Sequence, residues 1–223
     1  MTLIHRRDLL IGALGLVTVS ACARQPARAA ASSANLIAGT TCPVTPEQTE
    51  GPFYFDPALV RADIAEGKPG APLRLRLQIV DAAACAPQQR ARVDIWHCDA
   101  DGVYSGYDRE RSTGQRWLRG TQFADAQGVA TFNTIYPGWY EGRTPHVHLK
   151  AWLPDGREMI SQLYFPDDLS DAVYREGAYA GHGGERMRNG DDGIFRRAGG
   201  EVPMAQVAAA PGGYDGAIVI ALA

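Results

Sequence analysis

The sequence predicts an all-β chain: an antiparallel β-sandwich with long irregular loops and one short helical segment. Three observations carry that prediction. Apolar residues recur at every second position in several short runs, Asp, Pro and Gly turn signals separate those runs, and helical periodicity is nearly absent. In "PLRLRLQIVD", Leu73, Leu75, Leu77 and Ile79 alternate with polar neighbours, as in a strand with one face buried. Further strands are predicted at Ala91–His97, Gly128–Asn133, Pro145–Leu153, Glu158–Phe165 and Gly216–Ala223. Between strands lie "DADG", "DAQG" and "PDG", each a turn signal. Asp167–Glu176 reads as a brief helix, and residues 177–211 are glycine-rich and irregular, a length that suggests a covering over a site.

At 223 residues with 45% hydrophobic content, one domain with a substantial core is expected. The 22 basic and 25 acidic residues are interspersed and give a net charge of -3, which leaves no basic stripe for nucleic acid. Small molecules or other proteins are the expected partners. At the N-terminus, Arg6 and Arg7 precede an apolar run from Leu9 to Ala21 that is short for a bilayer span. Residues 1–29 therefore resemble a twin-arginine export signal, with cleavage after "ARA" or instead before Cys22, which would then carry a lipid anchor. Residues 30–40 read as a flexible linker and 41–223 as the folded domain, in a periplasmic or extracellular setting. Cys42, Cys85 and Cys98 then allow one disulfide, and Cys85 with Cys98, on either side of a predicted strand, is the expected pair.

The chemistry concentrates in "TIYPGWYEGRTPHVH", Thr134 to His148. Residues two apart on a strand share a face, so His146 and His148 present both imidazoles to one side, as metal ligands do. Imidazole alone leaves zinc, copper, nickel and iron open. A nearby phenol narrows the choice, because a group with a pKa of about 10 becomes a good ligand only beside a strongly Lewis-acidic ion such as ferric iron. His97 alternates with Ile95 and reads as structural, and Glu47 and Glu50 read as fastenings of an extended arm stiffened by Pro46 and Pro52.

Four stretches occur in order: "TPEQTEGPFY" from Thr45, "VDIWHCDADGVYSGY" from Val93, "PGWYEGRTPHVH" from Pro137 and "SQLYF" from Ser161. Together they resemble the intradiol ring-cleavage dioxygenases, most closely the exported, protocatechuate 3,4-dioxygenase-like branch. The resemblance implies a non-haem Fe(III) held by Tyr104, Tyr140, His146 and His148. Tyr104 closes a W-x-x-x-x-x-G-x-Y pattern after Trp96 and Gly102, and Tyr140 closes T-I-x-P-G-x-Y, which leaves Tyr136 at the variable position as pocket wall or packing. It further implies catalytic roles for Arg143, which steadies negative charge on the ring, for Gln162, which orients by hydrogen bonding, and for Tyr140, the tyrosinate that dissociates when substrate binds.

The implied substrates are a catechol and O2, and the implied product is a cis,cis-muconate. Only Glu141 and Gly142 separate Tyr140 from Arg143, a shorter loop than is common in ring-cleaving relatives, so a more open site is expected. A carboxylated substrate would want a second cation, for which Arg61, Arg109 and Arg119 are candidates. His182 receives no role, and a salt bridge to Glu141 or Asp155 is the plain structural alternative for Arg143. From the residues alone two other readings stay open: a transthyretin-like or carbohydrate-binding sandwich module without iron, and a zinc or copper site built on His146 and His148.

Overall fold

A computed structural model describes residues 42–56, 58–199 and 202–223, so the predicted signal, the linker and Cys22 lie outside the described residues. The described chain forms two facing sheets. One contains β1 (Pro72–Asp81), β2 (Ala86–Pro87), β5 (Val129–Ile135), β8 (Gln206–Ala210) and β9 (Gly213–Leu222). The other runs in the order β4 (Arg119–Phe123), β3 (Arg92–Trp96), β6 (His146–Trp152), β7 (Glu158–Tyr164). Helix α1 is Asp167–Val173 and α2 is Gly193–Arg197.

The predicted alternation holds where it was clearest. Leu73, Leu75, Leu77 and Ile79 of β1 meet Val147, Leu149 and Ala151 of β6 and Ile220 of β9 in one core between the sheets, all fully buried. Each Leu, Ile or Val among them contributes about 1.5 to 3 kcal/mol by leaving water. The expectation of a purely antiparallel sandwich needs one correction. β1 pairs antiparallel with β5 but parallel with β9, from Leu73 opposite Tyr214 to Asp81 opposite Leu222. A parallel neighbour requires a crossover, and the long excursion after β7 supplies it. β8 then returns on β9 through a tight turn in which Pro211 sets φ and Gly212, at φ +81°, takes the left-handed position.

β4, β8 and α2 were not foreseen. "RGTQF" in β4 lacks apolar alternation because two of its buried residues, Arg119 and Thr121, are polar, and "QVAAA" in β8 is alanine-rich on an exposed edge. His97 is structural as expected: Nδ1 donates to the Cys98 carbonyl at 2.8 Å, and Nε2 accepts from Thr134 Oγ1 at 2.8 Å, tying β3 to the end of β5. Burial pushes its imidazole down to about 4, so it stays neutral.

The N-terminal arm is pinned, though not by its carboxylates. Thr45 exchanges hydrogen bonds with Ala221 of β9, Gln48 N donates to Ile160, and Ser161 Oγ donates to the Pro46 carbonyl at 2.7 Å. Glu50 adds only a 3.5 Å contact to Lys150.

The arm is also held covalently, and here the expected cysteine pairing is overturned. Cys42 bonds Cys85, with Cα atoms 5.4 Å apart, while Cys98 is a buried free thiol. The reason is strand length. Cys85 precedes β3 and Cys98 follows it, so five extended residues at about 3.3 Å each hold them apart, well beyond the reach of a disulfide. Closing a 43-residue separation contributes about 4 kcal/mol on chain-entropy grounds. Proteolysis without reductant is expected to release a linked Cys42–Cys85 peptide, and the double variant Cys42→Ser, Cys85→Ser to lower the unfolding free energy by about 2 to 4 kcal/mol in urea titration. A linked Cys85–Cys98 peptide would contradict this pairing.

Candidate metal centre

The face of β6 that turns away from the core carries the two histidines. In register, His148 lies between Trp96 of β3 and Gln162 of β7, and His146 lies opposite Tyr164. Trp96 stacks on the His148 ring at 4.9 Å, nearly parallel, which fixes the imidazole plane. Both histidines are buried, and burial, then the nearby Arg143 cation, drives His146 down to about 3. Burial followed by the charge of His146 likewise pushes His148 well down.

Two loops bring tyrosines to this face. Residues 99–104 leave β3 in a turn fixed by Asp99, whose Oδ1 accepts from the amides of Asp101 and Val103. Residues 137–140 run against it, with Gly138 N donating to the Asp99 carbonyl at 3.1 Å. Two glycines make that contact possible. A Cβ on Gly138 would stand 2.2 Å from the Asp99 oxygen, and one on Gly102, at φ +80°, 2.3 Å from the Trp139 oxygen. Tyr104 and Tyr140 therefore enter from loops zipped backbone to backbone. Phe53 stacks on Tyr104 at 4.1 Å, and Arg119 donates to Ser105 Oγ and to the carbonyls of Ser105 and Phe53, locking the residue after Tyr104.

Three of the predicted ligand residues converge on the Nε2 atom of the fourth, His146. His148 Nε2 is 3.1 Å away, the Tyr140 hydroxyl 3.3 Å and the Tyr104 hydroxyl 3.4 Å. His146 Nδ1 sits 2.7 Å from the Thr144 carbonyl, which can only accept, so Nδ1 carries the proton and Nε2 offers a bare lone pair. One lone pair cannot satisfy that many neighbours, and His148 Nδ1 is buried with no hydrogen-bond partner among the described residues. The cluster is poorly arranged as a hydrogen-bond network and well arranged around a cation. Among the described residues no three His, Cys, Asp or Glu side chains gather, so the two phenols must complete any ligand set. Burial pushes both phenols up, Tyr104 well above its ordinary value, and only a strongly Lewis-acidic ion would ionise them there. Tyr136 lies elsewhere, in the main core, with its hydroxyl 2.8 Å from Ser170 Oγ.

Arg143 reaches the cluster in spite of the short loop. Its amide closes a turn onto the Tyr140 carbonyl, with Gly142 at φ +81°, and Nη1 comes within 3.3 Å of His146 Nε2. Its partner is neither Glu141 nor Asp155. Nε donates at 2.8 Å to Asp192 Oδ2, which also accepts from Thr144 N at 3.0 Å, while Asp192 Oδ1 caps α2 by accepting from Ile194 and Phe195. Burial alone would raise the Asp192 carboxyl, but the donors from Arg143 and Thr144 hold it below its ordinary value. Gln162 accepts from Arg143 Nη2 through Oε1 and donates through Nε2 to the Thr49 carbonyl, fixing Arg143 to the arm.

Asp192 was missed in the sequence, where only its place before a short helical turn marked it as a cap. Of the three candidate cations, Arg119 is buried and spent on carbonyls, Arg61 is engaged by the carbonyls of Arg116 and Arg119, and only Arg109 lines the cavity beside the cluster, over the Phe53 ring at 4.5 Å. His182 stacks on Trp139 at 4.1 Å, outside that cavity.

Comparison with known proteins agrees with this architecture. The sequence profile of a family described as Dioxygenase matches residues 48–174, more than half of the chain. The chain belongs to the intradiol ring-cleavage dioxygenases. An intradiol ring-cleavage dioxygenase of Tetranychus urticae superposes with a TM-score of 0.76 at 32% identity, over 81% of this chain and 94% of that one. The dioxygenase domain of a dioxygenase and carbohydrate-binding protein fusion from a Streptomyces species gives 0.61 at 32% identity, over 81% and 99%. Among curated relatives, a hydroxyquinol 1,2-dioxygenase of Corynebacterium glutamicum is 27% identical over 56% of this chain and 48% of its own length. A catechol 1,2-dioxygenase of a Pseudomonas species is 28% identical over 61% and 54%. The chain spans about half the length of these curated relatives.

The Arg143–Asp192 pair gives a stability prediction. Asp192→Ala leaves a mostly buried guanidinium without its counter-charge and uncaps α2, so a loss of about 3 to 5 kcal/mol is expected in urea unfolding. Glu141→Ala, at an exposed site, is expected to change it by less than about 0.5 kcal/mol.

Proposed function

We propose that this chain is a non-haem Fe(III) dioxygenase that cleaves a catechol ring between its two hydroxyl-bearing carbons with O2, giving a cis,cis-muconate-type product. The observation that carries the reading is the convergence of two phenols and two neutral imidazoles on one point, with a bare imidazole lone pair at its centre. Tyr104, Tyr140, His146 and His148 would hold the ion. Ferric iron bound there supplies the Lewis acidity that ionises the two phenols and accepts electron density from the catecholate, which opens the ring to attack by dioxygen. Relatives named for catechol, hydroxyquinol and chlorocatechol support the substrate class.

The chain's own residues divide the remaining work. Tyr140 is half-buried and lines the cavity, whereas Tyr104 is enclosed beneath Phe53, so Tyr140 Oη is the base that takes a catechol proton and swings aside. Tyr104 stays in place. Arg143 faces the same cavity with its charge held by Asp192, so it steadies negative charge that develops on the ring. Loss of a comparable preorganised donor elsewhere costs about 3 to 4 kcal/mol in the transition state. Gln162 acts through Arg143 and through the arm that walls the cavity.

Two measurements test this reading. Purified chain reconstituted with iron is expected to bind about one equivalent and turn red-brown through tyrosinate-to-iron charge transfer; a protein that stays colourless and iron-free excludes it. Tyr140→Phe is expected to abolish or shift that band, and Tyr136→Phe to leave it in place; the reverse would mean that the ligand tyrosine has been misassigned.

We also infer export, supported by the paired arginines before the apolar run and by a Cys42–Cys85 bridge that suits an oxidising compartment. Expressed with residues 1–29 in a bacterium, the chain is expected in the periplasmic fraction, and Arg6→Lys with Arg7→Lys is expected to retain it in the cytoplasm.

A further inference from the structure

One aromatic ring leaves much of the available space empty. The cavity beside the cluster measures about 500 Å³, whereas an apolar cavity of about 150 Å³ suffices for benzene. It does not end there. A second cavity of about 350 Å³, lined by Glu47, Gln48, Thr49, Ile194, Arg197 and Ala198, shares Thr49 and Ile194 with the first. The two adjoin at those residues, and a groove through both would have Thr49 and Ile194 as its sill. Both sides of the sill are anchored, since the Thr49 carbonyl accepts from Gln162 Nε2 at 2.9 Å and Ile194 N donates to Asp192 Oδ1 at 2.7 Å.

Chemistry changes along the groove. Near the cluster the walls include Pro52, Phe53 and Ile194, which suit a ring or an aliphatic chain. Beyond the sill stand Glu47 and Arg197, neither in an ion pair with a described residue, and Gln48, whose Nε2 is buried with no hydrogen-bond partner among the described residues. An unspent donor and two unpaired charges at the far end of an apolar passage make a place for a polar terminus.

We propose that the groove accepts catechols bearing an extended ring substituent, a second ring or a chain of at least three atoms, whose polar end lies against Gln48, Glu47 and Arg197. This deepens the catechol reading above and rests on it. The substituent leaves the ring past Thr49 and Ile194, while the hydroxyls face the cluster of Tyr104, Tyr140, His146 and His148.

The test compares catechol, 4-phenylcatechol and 3,4-dihydroxycinnamate on the iron-loaded chain, with binding measured by calorimetry under nitrogen and turnover by oxygen uptake. The substituted catechols are expected to bind at least about fivefold more tightly than catechol. Ala198→Trp and Glu47→Trp, which narrow the second cavity from opposite banks, are each expected to lower the ratio of kcat/KM for 4-phenylcatechol to that for catechol at least tenfold. Equal binding of catechol and 4-phenylcatechol, or an unchanged ratio in both variants, would overturn the proposal. Failure of the catechol reading shows separately, as no oxygen uptake with catechol itself, and the nitrogen binding series then still decides whether the groove takes the extended ligands.

Discussion

The two-residue alternation of β6 is the constraint on which the rest of the structure hangs. Val147, Leu149 and Ala151 are fully buried against the opposite sheet, and the intervening positions hold His146 and His148 on the other face. A slip of one residue in register would drive both imidazoles into the sandwich core and expose three apolar side chains. Flanking strands β3 and β7 fix the register from both sides, so the histidine face is as rigid as the core is well packed. Burial then sets the charge state. Neutral imidazoles next to the Arg143 cation offer lone pairs without bringing further positive charge, the condition under which they bind a metal rather than repel it.

The tyrosine loops answer a second demand, that two large side chains from distant parts of the chain meet at one point. Gly102 and Gly138 satisfy it by removing side chains where the loops touch, and Asp99 by holding one loop's amides while its carbonyl receives the other's. This gives the spacing of both tyrosine motifs a steric meaning. The glycine two residues before each tyrosine is where one backbone passes the other, so the tyrosine that follows is aimed by contact between loops and not by its own strand.

Residues whose places follow from local periodicity or from ordered motifs are legible in the sequence itself. The shared face of the histidine pair, the position of Tyr140 beside it with Tyr136 in the core, and the strands β1, β6 and β7 belong to that group. What is not legible there depends on contacts far apart in the chain. Asp192 lies 49 residues from Arg143 inside a glycine-rich stretch, and nothing local distinguishes it from Glu141 or Asp155 as a partner. Arg119 reads as a free cation because its targets are backbone carbonyls, which leave no mark on composition. The parallel pairing of β9 with β1 is likewise a property of the return path and not of either strand. The cysteine pairing is different in kind, because the length of β3 alone argues against joining Cys85 to Cys98.

Asp192 also changes how residues 177–211 should be understood. One carboxylate oxygen receives Arg143 and the amide of Thr144, two residues before His146, and the other receives the first turn of α2. The cation beside the cluster and the wall of the groove are thus positioned by a single side chain. Any displacement of α2 large enough to reshape the groove at Ile194 must stretch the bonds that hold Arg143. The Arg143 guanidinium and the cavity wall at Ile194 are then mechanically coupled, through a glycine-rich segment whose length alone suggests a covering over a site.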